Sequence, residues 1–361
     1  MIPVTRTFLP SLDKYQRYTA EIFGRGQITN HGPLKNELES ILREYFNVKH
    51  FFLVTNGTIG LQIAIKAANL QGEVITTPFS YIATTSSLFW EGGKPVFADI
   101  LPDEYNINPE EISKLIGPQT SGILATHVFG NPCRIAEIQE IATKYRLKLI
   151  FDAAHTFGAK WNNSHLMQFG DISVISFHAT KLFHTVQGGG IATNDDELAE
   201  KIRQMKNCGH DRFTNIAGPG INAECSEFQA AMGLCVLPEV ENIMYQRSLI
   251  IDFYKKQLAS LGEKIKFQQF NPALTQANHA YFSVKFHSEE TREKVIKALN
   301  SKDVFPRRYF APSLNKLNYI SDNQSCPVSE DLANTIVCLP LYVGLSDKEV
   351  TMICDTIKSS L

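Results

Sequence analysis

Apolar residues near the start of the chain recur at helical spacing and then switch to short continuous runs. Leu34, Leu38, Ile41, Leu42 and Tyr45 fall on one face of a helix over residues 34–47, with Pro33 just ahead of it as a start signal. Phe51-Phe52-Leu53-Val54 reads as a short buried strand stopped by Asn56-Gly57, after which residues 58–68 return to helical spacing. The alternation then repeats. Strands are predicted at 73–76, 95–100, 122–126, 147–151, 172–176 and 190–193, and helices over 82–90, 136–145 and 196–206. Short apolar strands alternating with helices predict an α/β domain with a mostly parallel central sheet flanked by helices.

Beyond about residue 240 the texture changes. A long helix over 240–261 is followed by strand candidates at 264–270 and 280–286 and a helix over 289–299. The closing helix is announced by Ser346-Asp347-Lys348-Glu349, whose Ser and Glu are spaced to cap each other's backbone groups. The expected organisation is a large α/β domain over 1–240, N-terminal segment included, and a small C-terminal α+β domain over 241–361. A chain of 361 residues exceeds what a single core usually serves.

Composition narrows the function classes. The 35 basic and 37 acidic residues nearly cancel, so no nucleic-acid footprint is expected. No apolar run reaches the roughly 18 residues of a membrane span, and the start Met1-Ile2-Pro3-Val4-Thr5-Arg6 holds no apolar signal segment, so the cytoplasm is the expected compartment. Cys133, Cys208, Cys225, Cys235, Cys326, Cys338 and Cys354 are scattered and odd in number, which fits a reducing compartment better than a disulfide framework. Cys and His show no zinc spacing and there is no H-E-x-x-H, so no metal is expected.

Candidate chemistry gathers at predicted strand ends, where open α/β sheets bind ligands. Asn56-Gly57-Thr58 lies between a strand and a helix start, suited either to capping that helix or to receiving a phosphate on its free N–H groups. Tyr81 follows a strand end and offers a ring for stacking or for packing. Asp152 ends the apolar run Leu149-Ile150-Phe151. A carboxylate there either caps the next turn or faces a buried cation, and His155 falls three residues on. Ser176 and Lys181 follow a further strand, ahead of Gly188-Gly189-Gly190. A desolvated lysine readily gives up its charge and can form an imine, whereas any lysine taken singly is by default a surface residue.

Together these segments resemble the DegT/StrS-type nucleotide-sugar aminotransferases, a family within the fold-type I pyridoxal-phosphate (PLP) enzymes, over nearly the whole chain. The resemblance is carried by Gln27-Ile28-Thr29-Asn30-His31-Gly32-Pro33, Asn56-Gly57-Thr58, Asp152-Ala153-Ala154-His155, Ser176-Phe177-His178-Ala179-Thr180-Lys181, Asn222 with Ser226-Glu227-Phe228-Gln229-Ala230-Ala231, and Cys338-Leu339-Pro340-Leu341. It departs from the family pattern at Gln187, where relatives carry glutamate, and at Ala223-Glu224-Cys225 after Asn222.

The resemblance implies roles. Lys181 is the catalytic residue and holds PLP as a Schiff base; Asp152 pairs with the pyridine nitrogen; Tyr81 stacks on the ring; Gly57, Thr58 and Ser176 hold the phosphate; His155 sits beside the ring. Asn222 reaches the phosphate of a neighbouring subunit, so a homodimer is implied. His184, Arg308 and Tyr309 are candidates to approach the sugar or its diphosphate. The implied reaction moves the amino group of L-glutamate through pyridoxamine phosphate to the C4 ketone of dTDP-4-keto-6-deoxyglucose, towards surface polysaccharide. A 3-keto-6-deoxyhexose substrate, a PLP sugar dehydratase and a non-catalytic sensor are the rival readings. Lys181 weighs against the dehydratase, since relatives of that kind carry histidine in its place.

Overall fold

The computed structural model describes residues 1–211, 215–320 and 324–361. Seven strands form the central sheet: β1 (His50–Val54), β2 (Glu73–Thr76), β3 (Lys94–Phe97), β4 (Thr120–Thr126), β5 (Lys148–Asp152), β6 (Ile172–Ser176) and β7 (Gly189–Thr193). Their spatial order is β1-β7-β6-β5-β4-β2-β3. Every pairing is parallel except those of β7, which runs against both β1 and β6. These strands read as continuous apolar runs because both faces are covered: Val74, Ile75, Ile123, Leu124, Leu149, Ile150 and Phe151 are all fully buried.

Register brings the chemistry to one edge. Val54 and Ser176 both lie opposite Gly189, Asp152 lies opposite Val174 and Thr126, and Thr76 lies opposite Leu124. The carboxyl ends of β1, β6, β5, β4 and β2 therefore open side by side. Those of β1, β2, β5 and β6 are followed by the turn or helix start that carries a candidate residue.

The helix Pro33–Phe46 buries Leu34, Leu38, Leu42 and Phe46 in the core beneath β1, while Ile41 is exposed. Ile41 is one residue off the stripe that Leu38 and Leu42 define, so a contiguous apolar count overstated the buried face. Strands at the periphery are shorter than their apolar runs: β3 stops at Phe97, Ile265–Phe267 covers three of the seven residues 264–270, and Ser283–Phe286 begins three residues after Ala280. Helices Leu12–Arg25, Pro109–Leu115 and Pro327–Thr335, and the small sheet of Lys160–Trp161, Ser164–His165 and Leu274–Gln276, had no predicted counterpart.

A second core gathers Tyr254, Leu258, Val284, Phe286, Val295, Leu299, Ile353 and Ile357 around the sheet Ile265–Phe267, Ser283–Phe286 and Ile336–Cys338. The helix Val240–Leu258 serves both cores: Val240, Ile243 and Met244 pack below the central sheet, and Ile251, Tyr254 and Leu258 pack in the second core. Ile2 also packs there, and Ile2–Pro3 pairs with Val304–Phe305. The closing helix Asp347–Ser360 carries the reciprocal Ser346–Glu349 cap. Among the described residues no helix is long and apolar enough to cross a membrane, and no cluster of His, Cys, Asp and Glu could hold a metal ion.

Candidate active site

A cavity of about 600 Å³ opens at the carboxyl edge of the sheet. Gly57, Thr58, Tyr81, Asp152, His155, Ser176, Lys181 and Tyr309 all line it.

Its floor begins at the turn after β1. Asn56 caps the helix Gly57–Ala67, its Oδ1 accepting from the Ile59 N–H at 2.9 Å, and its carbonyl accepts from Gly60. The donors ahead of these, on Gly57 and Thr58, have no intrahelical acceptor by helix geometry, and the helix start favours negative charge. The turn is closely packed. A Cβ on Gly57 would lie 3.0 Å from the Ser176 Cβ, and one on Gly189 would lie 2.8 Å from the Gly57 nitrogen. Ser176 is thereby held against Gly57, so a hydroxyl and a helix start converge into a cradle of phosphate size and polarity.

Asp152 is buried at the end of β5. Its Oδ2 accepts from the Thr84 hydroxyl at 2.6 Å and its Oδ1 from the Ala154 N–H at 3.1 Å. Thr84 is held in turn by the Ser80 hydroxyl at 2.7 Å, which also reaches Thr126 Oγ1 at 3.1 Å. Burial raises the Asp152 pKa, opposed by the Thr84 and Ala154 hydrogen bonds and by the charge of Lys181. A buried carboxylate given only neutral donors is short of a full counter-charge. A protonated pyridine nitrogen would provide one.

Lys181 follows β6 through a tight turn, its N–H donating to the His178 carbonyl. The residue borders the cavity and is only partly covered, yet its amine lies inside the protein and burial pulls its pKa down to about 8, opposed by Asp152 and Tyr81. Its Nζ lies 3.2 Å from the Tyr281 hydroxyl. His155 is buried, and its Nδ1 accepts from the Phe129 N–H at 3.2 Å, which places the proton of the neutral ring on Nε2. Burial, then Lys181 and His127, hold the pKa of His155 well below the ordinary histidine value. Its ring stacks on Phe310 at 5.7 Å and 8°. Tyr81 is exposed at the start of the helix Ile82–Trp90, on the cavity rim.

Three sequence candidates lie elsewhere in the chain. His184 is buried with both ring nitrogens committed, Nε2 to the Phe8 carbonyl at 2.7 Å and Nδ1 to the Val186 N–H at 3.3 Å, and it does not line the cavity. Arg308 donates to the Ala333 carbonyl at 3.3 Å and lies outside this cavity, on the wall of an adjoining one. Asn222 is exposed, opposite Asn207, and also lies outside it.

The residue that sequence reasoning missed is Tyr281. It stands 100 positions from Lys181, just before the strand Ser283–Phe286, with no local motif to mark it. Its backbone is clamped to the site. Arg247 donates to the carbonyls of His279 and Ala280 at 2.9 and 2.7 Å, and Asn278 donates to those of His155 and Phe157 at 2.6 and 2.9 Å. Burial raises the pKa of Tyr281, so its phenol stays neutral and can accept from the Lys181 ammonium or donate to the free amine. Tyr281→Phe is expected to lower kcat about 10- to 100-fold with KM for both substrates unchanged, the effect of one lost hydrogen bond to a chargeable amine. Steady-state kinetics of the folded variant check this; a rise in KM at constant kcat would assign Tyr281 to substrate binding instead.

A phosphate cradle, a buried carboxylate hydrogen-bonded only by neutral donors, a rim tyrosine and a depressed lysine on one α/β sheet edge define a PLP-dependent transferase. The chain belongs to the DegT/DnrJ/EryC1/StrS aminotransferase family, whose profile matches residues 12–358. It is 37% identical to a dTDP-4-amino-4,6-dideoxy-D-glucose transaminase of Shigella dysenteriae, the match covering 98% of each chain. It is 34% identical to the Escherichia coli enzyme of that name, over 98% of this chain and 96% of the other. Among solved structures it resembles DesI, crystallised in the presence of its TDP-sugar product, with 30% identity, a TM-score of 0.94 and coverage of 99% and 92%. The protein is thus a PLP-dependent aminotransferase.

Proposed function

We propose that the enzyme transfers the amino group of L-glutamate to the C4 ketone of dTDP-4-keto-6-deoxy-D-glucose, giving dTDP-4-amino-4,6-dideoxy-D-glucose and 2-oxoglutarate. The observation that carries amine transfer is the amine of Lys181, depressed to about 8, beside Tyr281 and facing the same cavity as Asp152. The two full-length relatives that bear this activity in their names support the C4 sugar.

Bound PLP supplies an aldehyde that condenses with amines and a ring that takes up electron density. The chain supplies the rest. Gly57, Thr58 and Ser176 hold the phosphate, and Tyr81 covers the ring. Asp152 keeps a negative charge buried opposite Lys181, while neutral His155 offers its Nε2–H within the pocket. Lys181, once free, takes a proton from the donor's α-carbon side and returns it to the sugar side, with Tyr281 holding the amine in both charge states. Asn222, exposed on its own subunit, completes the partner's phosphate site in a homodimer. The unpaired cysteines suit a reducing cytoplasm.

The test is incubation of purified protein with PLP, L-glutamate and either the 4-keto or the 3-keto dTDP sugar, with products read by mass spectrometry and NMR. An amino sugar substituted at C4, with stoichiometric 2-oxoglutarate, is expected. Turnover of the 3-keto sugar alone rejects the C4 assignment, and ammonia release without amine transfer rejects the aminotransferase in favour of a dehydratase.

A further inference from the structure

The buried stripe of the helix Val240–Leu258 passes from Met244 to Ile251 through Arg247, so a guanidinium occupies a position that packing would give to an apolar residue. Its Nε and Nη2 donate to the carbonyls of His279 and Ala280. Among the described residues Nη1 has no hydrogen-bond partner and no carboxylate pairs with the group. Burial pulls the Arg247 pKa down to about 10, opposed by Tyr281, so the side chain remains a cation at neutral pH. Two carbonyl dipoles meet part of that charge. A buried cation without a counter-ion is otherwise among the costliest groups a fold can hold.

Arg247 lines a small cavity of about 20 Å³. This cavity is separate from the cofactor cavity but shares Thr180, Tyr281 and Tyr309 with it. Thr5 adds a further hydroxyl-bearing side chain, the remaining lining is apolar, and no acidic residue takes part. The volume suits one guest the size of a water or a halide and is too small for a phosphate or an amino acid. Charge selects between the first two. A guanidinium short of a counter-charge, flanked by hydroxyl donors, favours an anion over a neutral guest. The location gives that anion a consequence. Tyr281 borders both cavities and meets the Lys181 Nζ at 3.2 Å, and Thr180 directly precedes Lys181. A negative charge on this side favours an ammonium over a free amine, and linkage makes the effect mutual.

We propose that this cavity is a halide-sized anion site built on Arg247, whose occupant stabilises the ammonium form of Lys181. The link to Lys181 rests on the reading of that lysine as the anchor of the cofactor. The PLP-loaded protein is crystallised from sodium bromide, and anomalous scattering is collected at the bromine edge. A peak beside Arg247 is expected. In parallel, recapture of PLP by cofactor-stripped protein is followed against pH in sodium chloride and in sodium gluconate, whose anion is too large for the cavity, at equal ionic strength. Chloride should move the profile to higher pH, slowing capture about two- to threefold below about pH 8 and leaving it unchanged in alkali. Arg247→Gln should remove both the peak and the chloride effect, and Arg247→Lys should keep part of each. Should the Gln variant fail to fold, the two wild-type measurements stand without it. No bromide peak overturns the site. A shift in sodium acetate with none in chloride overturns the halide in favour of a carboxylate. Slowing by chloride that is equal at every pH marks competition for the phosphate cradle, and a peak with an unmoved profile marks an adventitious ion only; either overturns the link to Lys181. Failure of the Lys181 reading looks different: capture would follow no amine titration in any salt, whatever bromide does at Arg247.

Discussion

Lys181→Ala is expected to abolish both the visible absorbance of the PLP-loaded protein and measurable amine transfer, a loss above about 10⁴-fold. On the proposed reading one side chain both holds the cofactor covalently and carries the proton, and positioned acid–base groups alone supply ~10²–10⁴. The amine is prepared for this by its surroundings. With its pKa lowered to about 8, roughly a quarter of the amine is neutral at pH 7.5, against about a thousandth for a lysine at 10.5. Protonation blocks nucleophilic attack, so recapture of PLP by cofactor-stripped protein should accelerate as pH rises through about 8, where an ordinary lysine would accelerate through 10.5. Absorbance spectra, turnover and the recapture profile check these points together. A variant that keeps its colour and its turnover would remove Lys181 from the centre of the mechanism.

The amino-acid sequence discloses this site unevenly, and the reason is distance along the chain. Gly57, Thr58, Asp152, Ser176 and Lys181 all lie at or within a few residues of the end of a continuous apolar strand, so local patterning places them at the sheet edge where β1, β5 and β6 do deliver them. Tyr281 comes from far along the chain and meets the cavity only through packing, its ring against Phe129 and His155. Nothing within ten residues of it distinguishes it from an ordinary tyrosine. Thr84 was hidden differently. It lies in the apolar helix Ile82–Trp90, where a threonine passes for a tolerated polar residue until its 2.6 Å contact with Asp152 is seen. The helix Leu12–Arg25 was legible and overlooked: Leu12, Tyr15, Tyr18 and Ile22 recur at helical spacing, although only Ile22 is fully buried.

Asp152→Asn is expected to lower kcat by about two to three orders of magnitude and to weaken PLP retention, while leaving the fold intact. Asparagine matches the shape of aspartate: its Oδ1 can still accept the Ala154 N–H, and its amide NH2, standing where Oδ2 was, can donate to a Thr84 hydroxyl that turns its own proton to Ser80, so the packing within the chain survives. The charge does not. Burial already raises the Asp152 pKa, and what keeps the group ionised is the pair of neutral donors together with the Lys181 charge. A cationic ring nitrogen in the pocket would complete the pair, and removing one partner of a buried pair costs about 3–5 kcal/mol, which sets a ceiling of several thousandfold and makes a loss of about 10² to 10³ in rate the expectation when only part of the pair's energy develops with the charge. The same substitution removes the Coulombic support that Asp152 gives the Lys181 ammonium, so the lysine pKa should fall further below about 8 and PLP recapture should begin at lower pH. Two opposite signs therefore come from one change: slower turnover and an earlier onset of capture. A structural defect would slow both. Measuring kcat, PLP dissociation and the recapture profile on one preparation separates the cases, and a variant with undiminished turnover would show that the buried carboxylate is a cap for the 152–154 turn and no partner of the cofactor.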